Sequence, residues 1–258
     1  MARFSSLLNR FISWLKRPRN RLLKVSGIVL ATIITLYLLN QVINYILLLN
    51  DPRSQSFVQW ATGDRFSRQD LVTVQRETCP GAPFILPTDG FIGLLYEDPR
   101  SPYSSRNPHQ GIDIFSNADP GITPVYAAYD GFVTREDNWV SSLIIRIPKD
   151  PLDPERTIWL YYTHMADREG NDFIEAVFKP GTRELFVEQG TLLGYTGDYN
   201  GHSARSVWVH LHFSIVKDDG NGRYLNELAF SNTLDPTPYL GLPVNYHLAA
   251  AEMVCQEH

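Results

Sequence analysis

Hydrophobic and polar positions follow different rhythms along this chain. Residues 25–49, VSGIVLATIITLYLLNQVINYILLL, form an apolar run without one charge. As a helix it would span roughly 37 Å at ~1.5 Å per residue, against a hydrocarbon core of ~30 Å. A membrane-spanning helix is predicted there, with Asn40, Gln41 and Asn44 suited to a helix–helix face. Ahead of it Phe4, Leu7, Leu8, Phe11, Ile12 and Leu15 recur at helical spacing among Arg3, Arg10 and Lys16. That pattern predicts a short amphipathic helix lying on the membrane surface within residues 1–24. Residues 50–78 are mixed, without clear period, and read as a stalk or linker. From Cys79 the texture changes to short β-rich runs, among them GIDIF, SLIIRIP, TIWLYYTHM and VWVHLHFSIV, punctuated by glycines. Only REGNDFIEAVF reads as a short helix. An all-β or nearly all-β domain is predicted over 79–245, followed by a C-terminal tail, 246–258.

Charge orients this arrangement. Seven of the 23 basic residues precede the apolar run, and all 28 acidic residues follow it. The positive-inside rule then places the N-terminus in the cytoplasm and the β domain outside. A cleaved signal peptide fits less well: the run is too long, and NDPRSQ offers no small-x-small site. No basic patch suggests nucleic acid, and the acidic outer part disfavours electrostatic attachment to anionic polymers. Cys79 and Cys255 are the two cysteines, one near the start of the outer domain and one near its end. In an oxidising exterior they could form a disulfide; two free thiols are the alternative.

Three β-rich segments each deliver histidine. In VWVHLHFSI, His210 and His212 are two apart and share one face of a strand, while Leu211 and Phe213 face the other way. Two buried imidazoles need hydrogen bonds or a metal. NPHQGIDIF holds His109 and Asp113, which a turn at Gln110–Gly111 could aim at one point. LYYTHMAD ends in His164. Four of the seven histidines fall in these clusters, and His, His and Asp are good zinc ligands. Other histidine constellations fit less well. The glutamate that a cupin places four or five residues after H-x-H is replaced by Val216 and Lys217. A second H-x-S/T is missing, and so is a helical H-E-x-x-H.

HQGIDIF, GITPVYAAYDGFV, YYTHM, GYTG and HLHF, in that order, resemble the successive motifs of the lysostaphin-type zinc endopeptidases, which cut peptide bonds in bacterial peptidoglycan. The resemblance covers roughly residues 80–240. It implies a compact antiparallel β-sheet domain with a groove over the sheet. It implies one Zn2+ held by His109, Asp113 and His212, with His164 and His210 flanking the water. Tyr161 and Tyr162 are further candidates to line the groove. The segment DYNGHSARSVWV is longer than the family's loop before H-x-H, so loop 198–209 would border the groove and bear on substrate preference. Its His202 reads as a solvated loop residue, and His247 and His258 receive no role.

The leading expectation is a membrane-anchored zinc endopeptidase acting on cell-wall peptides. A non-catalytic wall-binding or hydrolase-regulating protein on the same fold is the alternative; a protease acting on proteins would share every motif.

Overall fold

The computed structural model describes residues 21–50, 52–100, 102–201, 207–248 and 253–256. The predicted amphipathic helix before residue 21, His202 with residues 203–206 of its loop, and His258 lie outside the described residues. The chain divides into two compact units, residues 1–55 and 56–258. In the first, helix α1 runs Arg21–Asn50. Its stretch Ser26–Ile43 is exposed, and it is long and apolar enough to cross a membrane. The segment read as a stalk holds two helices, α2 (Pro52–Thr62) and α3 (Arg65–Arg68).

Among the described residues ten strands follow: β1 (Phe91–Leu94), β2 (Ile112–Phe115), β3 (Pro124–Tyr126), β4 (Gly131–Thr134), β5 (Leu143–Ile147), β6 (Ile158–Thr163), β7 (Leu185–Val187), β8 (Leu192–Tyr195), β9 (His210–Lys217) and β10 (Thr233–Leu234). A one-turn helix, α4 (Thr237–Leu240), comes after them. The large sheet has the order β1-β2-β9-β6-β5-β4-β7, with β10 also on β9, and β3 and β8 pair separately. All these pairings are antiparallel. Outside α1 and α2 the architecture is mainly β.

Strand alternation divides the sheet's two faces. Ile112, Ile114, Leu143, Ile145, Leu160, Tyr162, Leu211, Phe213 and Ile215 are all buried in the main core. The intervening positions of β2, β6 and β9 present Asp113, Thr163, His210 and His212 on the opposite face. Two smaller clusters cover the ends of that face. One gathers Ile144, Trp159 and Val216 with Trp139 and Tyr224. The other gathers Trp60, Leu94 and Phe115 with Phe57, Phe91 and Tyr103. The polar groups therefore lie between two apolar rims.

The predicted helix at 168–178 reduces to one 3-10 turn, Ala176–Phe178. The Asp167 carboxylate accepts from the amides of Glu169 and Asn171, and Gly170 takes a left-handed conformation. Local side-chain bonding of this kind competes with helix.

Cys79 and Cys255 are joined in a disulfide, with 5.4 Å between Cα atoms and 176 residues of separation. Of the two readings the sequence left open, the bridge is the one present. The loop-entropy relation gives about 5 kcal/mol for a closure this long, within a usual range of about 2–5 kcal/mol. The Cys79→Ser, Cys255→Ser protein is expected to lose stability within that range, read from urea midpoints of the full chain in detergent.

Candidate metal centre

Register builds the centre. β2 and β9 pair with Asp113 opposite His212 and Phe115 opposite His210. His109 comes from the segment entering β2, and Gly111 lets that segment close onto β9. A Cβ at position 111 would stand 2.5 Å from the Phe213 carbonyl oxygen and 2.9 Å from His212 Cε1. His164 follows the end of β6 at φ 70, a left-handed conformation uncommon outside glycine. Its segment is held against the chain entering β9. A Cβ on Gly197 would lie 2.0 Å from the Ala166 oxygen, and the His210 amide donates to the Gly197 carbonyl. The glycines of HQG and GYTG are thus where separate segments touch.

Three donor atoms converge. His109 Nε2 lies 3.1 Å from His212 Nδ1 and 3.3 Å from Asp113 Oδ1, and His212 Nδ1 lies 2.8 Å from Asp113 Oδ1. All three residues are buried. Tetrahedral zinc with ~2.0–2.1 Å bonds would separate its ligands by about 3.4 Å, so the triangle is near the size required. The hydrogen bonds on the outer sides of both rings strengthen the fit. His109 Nδ1 donates to the Leu95 carbonyl at 3.0 Å, and His212 Nε2 donates to Glu227 Oε1 at 2.8 Å. In their neutral forms both rings therefore aim lone pairs at a carboxylate oxygen. Three acceptors facing one another require a cation between them, either a proton or a metal ion.

Protonation reflects that demand. Burial opposes charge on His212, but the Glu227 and Asp113 carboxylates outweigh it and push its pKa up to about 10. For Asp113, burial is outweighed by His109 and His210, and its pKa is held well below the usual carboxylate range. A divalent ion would take the place of the proton that this cluster otherwise holds.

His210 and His164 stand beside the triangle with their rings 4.3 Å apart. His210 Nδ1 donates to the Trp208 carbonyl at 2.6 Å, and His164 Nδ1 donates to the Tyr199 carbonyl. Each neutral ring therefore carries its lone pair on Nε2, and His210 Nε2 lies 4.0 Å from Asp113 Oδ1. Burial lowers both pKa values, that of His164 to about 3 with the neighbouring His210 adding to the effect. Burial thus favours the neutral form of both imidazoles.

All five residues singled out in the sequence meet on one face of the sheet. Cavities of about 400 Å³ and about 540 Å³ border them, and His164 lines both. Tyr161 lines the first and donates its hydroxyl hydrogen to Ser142. Tyr162 points the other way: it is fully buried in the core, and its hydroxyl oxygen accepts from the Ala128 amide. His247 is exposed and lies 3.7 Å from Glu97, apart from the centre. Glu227 is the residue that motif reading passed over. It comes from the loop after β9, fifteen positions beyond His212, and also accepts from Ser214 at 3.3 Å. No short-range spacing marks it. Glu227→Ala is expected to weaken zinc binding by about 10–100-fold, the usual cost of losing a ligand's outer hydrogen-bond partner, measured by competition with a chromophoric chelator.

No family model and no curated protein matches this chain. Solved structures do. A protein assigned as a glycyl-glycine endopeptidase from Ruminococcus gnavus is 26% identical over 55% of this chain and 49% of its own, with a TM-score of 0.35. The catalytic domain of a prophage-encoded protein of Enterococcus faecalis, solved as a variant, is 23% identical over 57% of this chain and 95% of its own, at a TM-score of 0.34. Lysostaphin is 21% identical over 58% of this chain and 49% of its own, at 0.37. The chain thus spans about half the length of the first and third of these. By its own geometry it is a β-sheet protein with a His-Asp-His cluster and two neutral histidines at its side.

Proposed function

We propose that this protein is a membrane-anchored zinc endopeptidase that hydrolyses peptide bonds of cell-wall peptidoglycan outside the cytoplasm. The observation that carries the reading is the convergence of His109 Nε2, Asp113 Oδ1 and His212 Nδ1 beside two uncommitted imidazole nitrogens. The order of the HQGID, YYTHM, GYTG and HLHF motifs supports the choice of wall peptides as substrate.

In this reading His109, Asp113 and His212 hold the ion. When bound, zinc lowers the pKa of water from ~15.7 to ~7 and polarises the scissile carbonyl. Hydrolysis joins the water oxygen to the carbonyl carbon and breaks the C–N bond, so one proton must leave the water and one must reach the amine. His210 Nε2 and His164 Nε2 are the two sites fitted to those transfers. One accepts the water proton; the other, once protonated, donates to the leaving nitrogen or to the developing oxyanion. Their Nδ1–H bonds to Trp208 and Tyr199 fix both rings in the required tautomer.

In this reading residues 25–49 anchor the chain, 1–24 face the cytoplasm, 50–78 join anchor to domain while packing Phe57 and Trp60 onto it, 79–245 carry the metal centre and 246–258 form the tail. The Cys79–Cys255 disulfide favours an oxidising compartment for the domain. The test is zinc content of the full chain purified in detergent, together with release of new amino groups from peptidoglycan. About one zinc per chain with amine release is the expected result. Zinc without release would overturn the endopeptidase reading and leave a binding or regulatory role, and a folded protein that takes up no zinc would overturn the metal centre.

A further inference from the structure

Beyond the metal centre the paired strands run on. The Ser116 amide donates to the Val209 carbonyl at 2.8 Å, one step past the pairing of Phe115 with His210. Ser116 is three positions beyond Asp113, about 10 Å along the strand at ~3.3 Å per residue. A further cavity, of about 330 Å³, opens there. Val207 and Trp208 line both it and the cavity that His164 and His210 border, so the two adjoin. Its charged lining is three arginines, Arg65, Arg68 and Arg168, against Asp119 and Asp198. Asp119 pairs with Arg65 at 2.5 Å and Asp198 with Arg168 at 3.5 Å. Arg68 forms no ion pair among the described residues. Its guanidinium lies 5.3 Å from the ring centre of the buried Trp60, and its Nε makes no hydrogen bond. Asp64, four positions earlier, is committed to capping α3 through the amide and hydroxyl of Ser67. Asn117 fixes α3 in place by donating to the Arg65 carbonyl at 2.8 Å. One positive charge is thus left uncompensated, and residues 202–206, HSARS, contain no acid to cancel it.

Building on the endopeptidase reading, we propose that this cavity is a substrate subsite for a carboxylate carried by the wall peptide about three residues from the scissile bond. Arg68 is its principal contact, and Arg65 and Arg168 add to the local positive charge. An extended peptide advances ~3.3–3.6 Å per residue, so about three residues cover the distance from the metal centre. Guanidinium N–H groups hold carboxylates through charge-assisted hydrogen bonds. Asn117 Oδ1 and Asp198 Oδ1, which also have no hydrogen-bond partners among the described residues, suit the N–H groups of a peptide backbone. That favours a peptide over a lipid phosphate, which brings no N–H. A hydrogen bond to a charged group contributes about a factor of ten or more in affinity, so glutamate is expected to be preferred over glutamine by about tenfold.

The test uses the zinc-loaded full chain in detergent and eight-residue alanine peptides, N-acetylated and C-amidated, with a phosphinate in place of the central amide. Such compounds bind without being cleaved. The third residue out from the phosphinate, on one side or the other, is glutamate or glutamine, and Kd is read by tryptophan fluorescence. On one side the glutamate compound is expected to bind about tenfold more tightly than the glutamine compound, and the ratio should shrink as salt is added. Arg68→Gln is expected to bring the ratio towards one, with zinc content and the affinity for the glutamine compound retained. Arg65→Gln, at an exposed side chain, should lower it too and keeps the test open if Arg68→Gln fails to fold. A ratio near one on both sides, no binding of any compound, or a ratio unchanged in both variants would overturn the subsite. So would Arg68-dependent binding of a short-chain phosphatidylglycerol that the glutamate compound does not displace, which would assign the arginines to lipid. Selective binding without release of amino groups from peptidoglycan would instead overturn the endopeptidase reading and leave an acidic-peptide site standing.

Discussion

Replacing His109 by alanine is expected to leave the protein unable to retain zinc and to reduce peptide hydrolysis by on the order of 10³-fold or more. The imidazole is buried, held from behind by the Leu95 carbonyl and aimed at Asp113 and His212. Truncation removes one of three protein donors, a greater loss than the ~10–100-fold attached to an outer hydrogen-bond partner. Zinc contributes several kcal/mol of charge stabilisation in the transition state, and each ~1.4 kcal/mol is a factor of about ten in rate. His212→Ala should behave alike. His247→Ala, at an exposed histidine away from the cluster, should keep both zinc and rate. Metal analysis after dialysis, paired with amine release from peptidoglycan, reads all three. A His109→Ala protein that kept stoichiometric zinc would exclude this metal centre.

His210→Ala should separate binding from chemistry. Its Nδ1 is committed to the Trp208 carbonyl and its Nε2 stands outside the donor triangle. The variant is expected to keep its zinc while kcat falls by about 10²–10⁴-fold, the usual share of a positioned acid or base. His164→Ala should do the same. The double variant should lose less than the product of the two single losses, because in the proposed mechanism the two rings serve one proton-transfer sequence. Equal loss of zinc and rate in His210→Ala would make that residue a ligand and overturn the division of roles.

The placement of the five residues was readable from the sequence because the decisive spacings are local. H-x-H puts two rings on one face of a strand whatever the surrounding fold, and β9 obeys that period from His210 to Val216. The helix over the long apolar run needed only its length and lack of charge to be expected. What stayed hidden depends on distant contacts. Glu227 reaches His212 across the loop that returns from β9, and nothing in LNELAF announces it. Helix α2 carries two aromatic anchors, Phe57 and Trp60, within eleven residues, too short a stretch for its period to stand out. Tyr161 and Tyr162 show the limit of counting aromatics near a motif. One residue of register sends the first to the cleft and the second into the core.

The bridge between Cys79 and Cys255 encloses every strand of the domain in one covalent ring, joined to the preceding helices at Cys79. A single proteolytic cut anywhere inside that ring, loop 198–209 included, sheds no fragment: both new ends stay tethered until the disulfide is reduced. Nicking near the cleft would thus reshape the protein without releasing it. On a gel, such molecules would run at full mass when unreduced and separate into two pieces only with thiol.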